Sequence, residues 1–90
     1  MSNMKSLFEV KFQRQLRQWI VDNKRMALKV MDIVTDIERN PTEGIGKPEP
    51  LKHNLTNLWS RRIDQEHRLI YEIDEENEVL TFISCFGHYD

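Results

Sequence analysis

The residues best suited to work on a phosphate lie in the second half of the chain. Lys47-Pro48-Glu49-Pro50 sets one carboxylate between two prolines. Proline fixes its own φ and pushes the preceding residue out of the helical region, so Glu49 is held on a stiff, extended loop. A general base gains from such fixed placement; a solvated loop glutamate between turn-forming prolines fits the same four residues. Further on, Arg62 and Arg68 flank Asp64-Gln65-Glu66. If that turn pairs Ile63 with His67, Arg62 stands directly opposite Arg68 on one face of a sheet. Opposed like charges destabilise a strand pair, so the arrangement makes sense with an anion between them, and a phosphate is the candidate. The other reading makes both arginines solvated edge residues paired with Asp64 and Glu66. Gly87-His88-Tyr89 adds an imidazole and a ring on which a base could stack.

A carboxylate, several cations and an imidazole are the minimum equipment for metal-free RNA cleavage. A base takes the proton from a ribose 2′-OH, which attacks the neighbouring phosphorus. Cations stabilise the charge developing on the phosphoryl oxygens, and an acid protonates the leaving 5′-oxygen. DNA lacks the attacking hydroxyl. Other chemistries lack their residues: His53, His67 and His88 show no metal-ligand spacing, and the single Cys85 offers no CxxC, so no metal site is expected. Neither a phosphate loop nor a G-x-S-x-G elbow is present, and no cofactor is expected. Cys85 lies in an apolar run and reads as core packing. Trp19 and Trp59 read as core anchors, and His53 and His67 as hydrogen-bonded structural histidines.

The elements that must position these groups follow from the pattern. Ninety residues, 39% apolar and 31% charged, fit a single domain spanning 1–90. No run approaches the length needed to cross a bilayer and no signal peptide is evident, so a cytoplasmic protein with no membrane partner is expected. The net charge of -2 is unevenly spread: residues 69–90 carry six acids and no Lys or Arg, whereas residues 47–68 carry five basic and three acidic side chains. A basic patch on an acidic body suggests a localised anion site. Residues 5–8 read as a first strand. Phe12, Leu16, Trp19 and Asn23 recur at helical spacing, and a second helix over 24–40 carries the apolar stripe Ala27, Val30, Met31, Val34 and Ile37. Asn40-Pro41 stops it. Residues 41–57 hold all three prolines and read as a loop. Residues 58–63, 67–73 and 79–86 read as a three-stranded antiparallel meander. Alternation sends Trp59, Ile63, Leu69, Tyr71, Ile73, Val79, Ile83 and Cys85 to the core, under the helices, and Ser84, Phe86 and His88 to the side of Arg62 and Arg68.

The run NPTEGIGKPEPLKHNLTNLWSRRIDQEHRLIYEI, with the terminal HY, closely resembles the YoeB-type (Txe/YoeB) toxins of bacterial type II toxin-antitoxin modules, within the RelE superfamily. The match is dense over about half the chain and follows the strand, helical hairpin and meander order elsewhere. The resemblance implies an α+β fold like that of microbial ribonucleases, with an N-terminal strand and helical hairpin packed on one face of an antiparallel sheet. It also implies a ribosome-dependent mRNA endonuclease. Glu49, in K-P-E-P, looks like the general base, and His88, in the terminal H-Y, like the general acid. Arg68, in E-H-R-L, resembles the arginine that stabilises the phosphoryl transition state, with Arg62 and Lys52 as cationic partners. Tyr89 matches the aromatic residue that orients the substrate.

The implied partners are a cognate antitoxin, the ribosome and mRNA in its A site; a homodimer stays open. The antitoxin is expected to cover the basic face with an acidic segment that folds on binding. At the C-terminus Phe86-Gly87 and the additional Asp90 depart from the family pattern, exchanging a cation for Phe86, adding flexibility at Gly87 and bringing negative charge to the site. Two rival readings belong to other classes: a non-catalytic RNA- or ribosome-binding translation inhibitor, and a degenerate toxin acting with its antitoxin in operator binding.

Overall fold

The computed structural model describes residues 4–52 and 57–88. Strand β1 (Lys5–Phe8) leads into helices α1 (Val10–Asp22) and α2 (Lys24–Arg39). Asn23 separates the helices. Its extended backbone cannot continue a helix, its N–H closes α1 on the Trp19 carbonyl at 2.7 Å, and its side chain accepts from the Met26 amide at 3.3 Å to cap α2. A side-chain cap of this kind contributes about 1 kcal/mol. Asn40 ends α2 with the same extended backbone, ahead of Pro41.

The remaining strands are β2 (Glu49–Pro50), β3 (Leu58–Arg62), β4 (Arg68–Asp74) and β5 (Val79–Ser84). They form one sheet of order β1-β5-β4-β3-β2. The expected meander is its centre, with β3, β4 and β5 antiparallel; β1 joins parallel to β5, Lys5 opposite Val79, which makes the sheet mixed. The stretch read as a loop contains β2, two residues paired to β3 at the sheet edge. An edge tolerates Pro50, which has no N–H to donate.

One apolar cluster joins Phe12 of α1 and Met26, Val30, Ile33 and Ile37 of α2 to Ile63, Leu69, Tyr71, Ile73, Leu80, Phe82 and Cys85. Both helices therefore cover the face that carries Tyr71 and Ile73. Two expectations about this core are corrected. Met31 is 51% exposed, and Ile33 takes the buried place assigned to it. The helix is rotated so that the Met26, Val30, Ile33, Ile37 line faces the sheet; spacing located the helix, while burial chose which edge of its apolar arc turns inward.

On β5 the core side chains are Leu80 and Phe82, not Val79 and Ile83. Phe82 lies opposite Tyr71, but Ser84 lies opposite Ile70, which leaves Ile83 as an extra residue in a bulge. Parity then reverses, so Cys85 is in the core as expected and Ser84 shares the face of Ile70. A strand apolar on both faces has no alternation to declare its parity.

Candidate active site

Two adjacent arginines on β3 point to opposite faces of the sheet and meet opposite fates. Arg61 is fully buried under the helices. All five of its N–H donors are used. Nε donates to the Tyr71 hydroxyl at 3.2 Å; Nη1 donates to Asp36 Oδ2 at 2.6 Å and the Ile45 carbonyl at 3.1 Å; Nη2 donates to the carbonyls of Asn40 at 2.7 Å and Glu43 at 3.1 Å. Tyr71 in turn donates to the Pro41 carbonyl at 2.6 Å, and Asp36 accepts from the Ile45 amide at 3.0 Å. The start of the loop is thereby tied to the core at four backbone carbonyls and one amide. Asp36 is held below the usual carboxylate range, foremost by a hydrogen bond from Arg39, against burial and with help from the Ile45 amide and Arg61. Burial pushes the Tyr71 hydroxyl up, against the pull of Arg61.

The loop lies so close to this pair that glycine is required. A Cβ on Gly44, at φ +136, would fall 1.9 Å from Asp36 Oδ2, and one on Gly46, at φ +80, would fall 2.9 Å from the Arg62 carbonyl. Gly46 instead offers its carbonyl to the Arg62 amide at 2.7 Å. Three residues later Glu49 enters β2 opposite Ser60. The sequence reading missed Arg61 and Asp36. The available signal was parity: with Arg62 facing away from the helices, Arg61 must face them, and a buried guanidinium needs an acid on the helix above it.

The face away from the helices carries most of the expected groups. Arg62 lies opposite Arg68, and the Ile63 amide bonds the His67 carbonyl at 2.9 Å, as expected for this turn. Glu49, Ser60, Ile70 and Ser84 form a row across four strands, with Arg62 and Arg68 one same-face step along β3 and β4. By strand geometry Glu49 is on the order of 10 Å from Arg68 at the backbone, a gap that long side chains and a phosphate can fill. Among the described residues neither arginine is paired with a carboxylate. Asp64 instead accepts from the Glu66 and His67 amides at 2.8 and 2.7 Å, and Arg68 Nη1 donates to the Asp64 carbonyl at 2.9 Å and the His67 carbonyl at 3.2 Å. The alternative of solvated arginines neutralised by Asp64 and Glu66 is therefore not what the turn adopts.

The chain after β5 returns to this place, where the Arg68 amide donates to the Gly87 carbonyl at 2.9 Å. His88, the next residue, is exposed. Glu49, Arg62 and Lys52 are exposed as well, Lys52 lying two residues beyond β2. His53, Tyr89 and Asp90 lie outside the described residues. His67 is the structural histidine anticipated, 8% exposed and hydrogen-bonded through Nδ1. Cys85 is buried, its thiol pushed up to about 12 by desolvation. Among the described residues no group of three or more His, Cys, Asp and Glu side chains could hold a metal ion, and no helix is long and apolar enough to cross a membrane.

Two helices on one face of a mixed five-stranded sheet is the fold of the YoeB/RelE-type toxin structures. The sequence pattern of the "YoeB-like toxin of bacterial type II toxin-antitoxin system" matches residues 8–89, and the chain belongs to that family. Toxin YoeB of Escherichia coli O6:H1 is 48% identical over 71 residues, 79% of this chain and 82% of that protein. The YoeB/ParE toxin from Agrobacterium tumefaciens superposes with a TM-score of 0.88 at 36% identity, covering 96% of this chain and 100% of that one. YoeB from Staphylococcus aureus is similar both as a dimer, at a TM-score of 0.85 and 37% identity, and within a heterotetrameric YoeB-YefM complex, at 0.81 and 37%; each comparison covers 98% of this chain and 100% of the other.

Proposed function

We propose that this toxin is a metal-independent endoribonuclease that cuts mRNA in the ribosomal A site and so stops translation. Glu49 removes the proton from a ribose 2′-OH. The oxygen attacks the adjacent phosphorus, Arg68 stabilises the charge growing on the phosphoryl oxygens with Arg62 and Lys52 beside it, and His88 protonates the departing 5′-oxygen. The products are a 2′,3′-cyclic phosphate and a free 5′-hydroxyl. Tyr89 orients the substrate by stacking on a base. The register of the sheet supports this reading: Glu49, Arg62 and Arg68 share one face, and the tail that carries His88 is bonded to the backbone of Arg68.

A cognate antitoxin silences the site by covering the cationic face. The Staphylococcus aureus YoeB-YefM complex supports a partner of this kind, and the YoeB dimer from the same organism supports self-association of the free toxin. The protein acts in the cytoplasm, where its ribosomal target lies. Mapping mRNA 5′ ends at nucleotide resolution after induction without the antitoxin tests the reaction. New ends within codons, lost in Glu49→Ala and His88→Ala, are the expected result. Growth arrest with no new ends would identify an occluder that binds without cutting.

A further inference from the structure

His67 is buried beside the candidate site, yet the reaction above gives it no role. Its surroundings are all concerned with the C-terminal tail. The Gly87 amide donates to His67 Nδ1 at 2.8 Å, while the neighbouring Arg68 amide donates to the Gly87 carbonyl at 2.9 Å. Phe86 lies against the His67 ring at 4.7 Å and the Trp19 ring at 5.4 Å, and Trp19 meets His67 edge-on at 4.9 Å. Helix α1 holds the residue before Phe86 from both sides: Gln15 accepts from the Cys85 amide at 2.6 Å, and Trp19 Nε1 donates to the Cys85 carbonyl at 2.8 Å. Beyond this point, among the described residues, little else fixes the chain. Phe86 is 54% exposed, and a Cβ on Gly87, which sits at φ +78, would meet nothing within 4 Å.

An imidazole accepts at Nδ1 only when it is neutral with its proton on Nε2. That nitrogen faces the Glu66 carboxylate at 3.7 Å, which favours this tautomer. We propose that His67 is a positioning residue: its Nδ1, aimed by Trp19 and Phe86, latches the Gly87 amide and thereby sets where the adjacent His88 stands over the Arg62 and Arg68 face. Its effect on cleavage rests on the nuclease reading; the latch itself does not. A glycine at this position gives the latch its value, because with the acceptor gone only the Arg68 amide holds Gly87 and the permissive backbone lets the tail shift.

The chain has three glycines, so selective 15N-glycine labelling gives three amide signals, assigned by the loss of one in Gly87→Ala. His67→Phe keeps a ring against Trp19 and Phe86 but removes the acceptor. In this variant the Gly87 amide is expected to exchange about 2- to 10-fold faster, as the loss of one hydrogen bond implies. The chemical shift of Gly46, whose carbonyl accepts from the Arg62 amide at 2.7 Å, and an unchanged circular dichroism spectrum should report that the fold is intact. His67→Asn, whose Oδ1 can accept near the position of Nδ1, should restore protection. In mRNA cleavage on ribosomes His67→Phe should lower kcat by a factor approaching the roughly 100-fold or more that a general acid contributes, with KM little changed. Unchanged Gly87 exchange in His67→Phe would overturn the latch. A released Gly87 with undiminished kcat would overturn its positioning role. If the unmodified protein cleaves nothing, the nuclease reading fails, and amide exchange still decides the latch.

Discussion

Replacing Arg61 and Arg62 in turn by methionine, which keeps the chain length and removes the charge, should give opposite results from neighbouring positions. Arg61→Met strips five donors from a fully buried cluster. Breaking a buried ion pair by removing one partner costs about 3–5 kcal/mol. Asp36 keeps Arg39 at 2.7 Å and the Ile45 amide at 3.0 Å, so its carboxylate is not stranded, and the lower end, about 3 kcal/mol, is expected. For a chain of 90 residues that corresponds to a fall in melting temperature of about 12–24 °C. Arg62 is exposed and pairs with nothing among the described residues, so Arg62→Met should alter stability by no more than about 0.5 kcal/mol while reducing mRNA cleavage. Thermal melts followed by circular dichroism, both variants made in a Glu49→Ala background, compare the two directly. A shift below about 4 °C for Arg61→Met, or an equal loss for both variants, would refute the assignment of one arginine to the fold and the other to the substrate.

Gly44→Ala should destabilise by about 2 kcal/mol or more in urea unfolding, since its Cβ would strike the Asp36 carboxylate at a backbone angle that side chains avoid. Asp36 and Asp64 both titrate below their ordinary value, Asp64 because hydrogen bonds from the His67 and Glu66 amides outweigh the upward push of burial. A depressed folded-state pKa adds stability above the unfolded value of about 3.9 that is lost as pH falls through the folded one, so urea midpoints should hold near neutrality and drop below about pH 4. Asp64→Asn should flatten that drop. Cys85, with its thiol raised to about 12 and fully buried, should resist iodoacetamide at pH 8 in the native protein and react once urea unfolds it.

Local patterns carried most of the fold. Helix periodicity, the Asn23 break and the turn at Asp64 to Glu66 each depend on residues close in sequence, and the Arg62–Arg68 pairing followed from counting across one turn. What escaped depends on distant residues. The rotation of α2, which exposes Met31, is set by the sheet beneath it. The parity of β5 turns on a bulge at Ile83 that an all-apolar strand does not announce. The five bonds of Arg61 join residues 10 to 25 positions away. At the candidate site, the residues on paired strands were legible because pleat and register place them. Alternation placed His88 on the side of Arg62 and Arg68, but the bonds that hold the tail there, to a histidine acceptor and through a glycine turn, were not legible.

The parallel pairing of β1 with β5 bears on how the protein is made. Lys5 emerges from the ribosome early, and its partner Val79 is separated from it by nearly the whole chain. Contacts so remote in sequence slow folding and postpone it, so during vectorial synthesis the first strand must wait for the last. The segment bearing His88 follows β5 directly, and its Gly87 carbonyl accepts from the Arg68 amide on the already paired β3–β4 hairpin. A nascent chain thus brings its candidate acid to the cationic strand pair only once the last strand is in place.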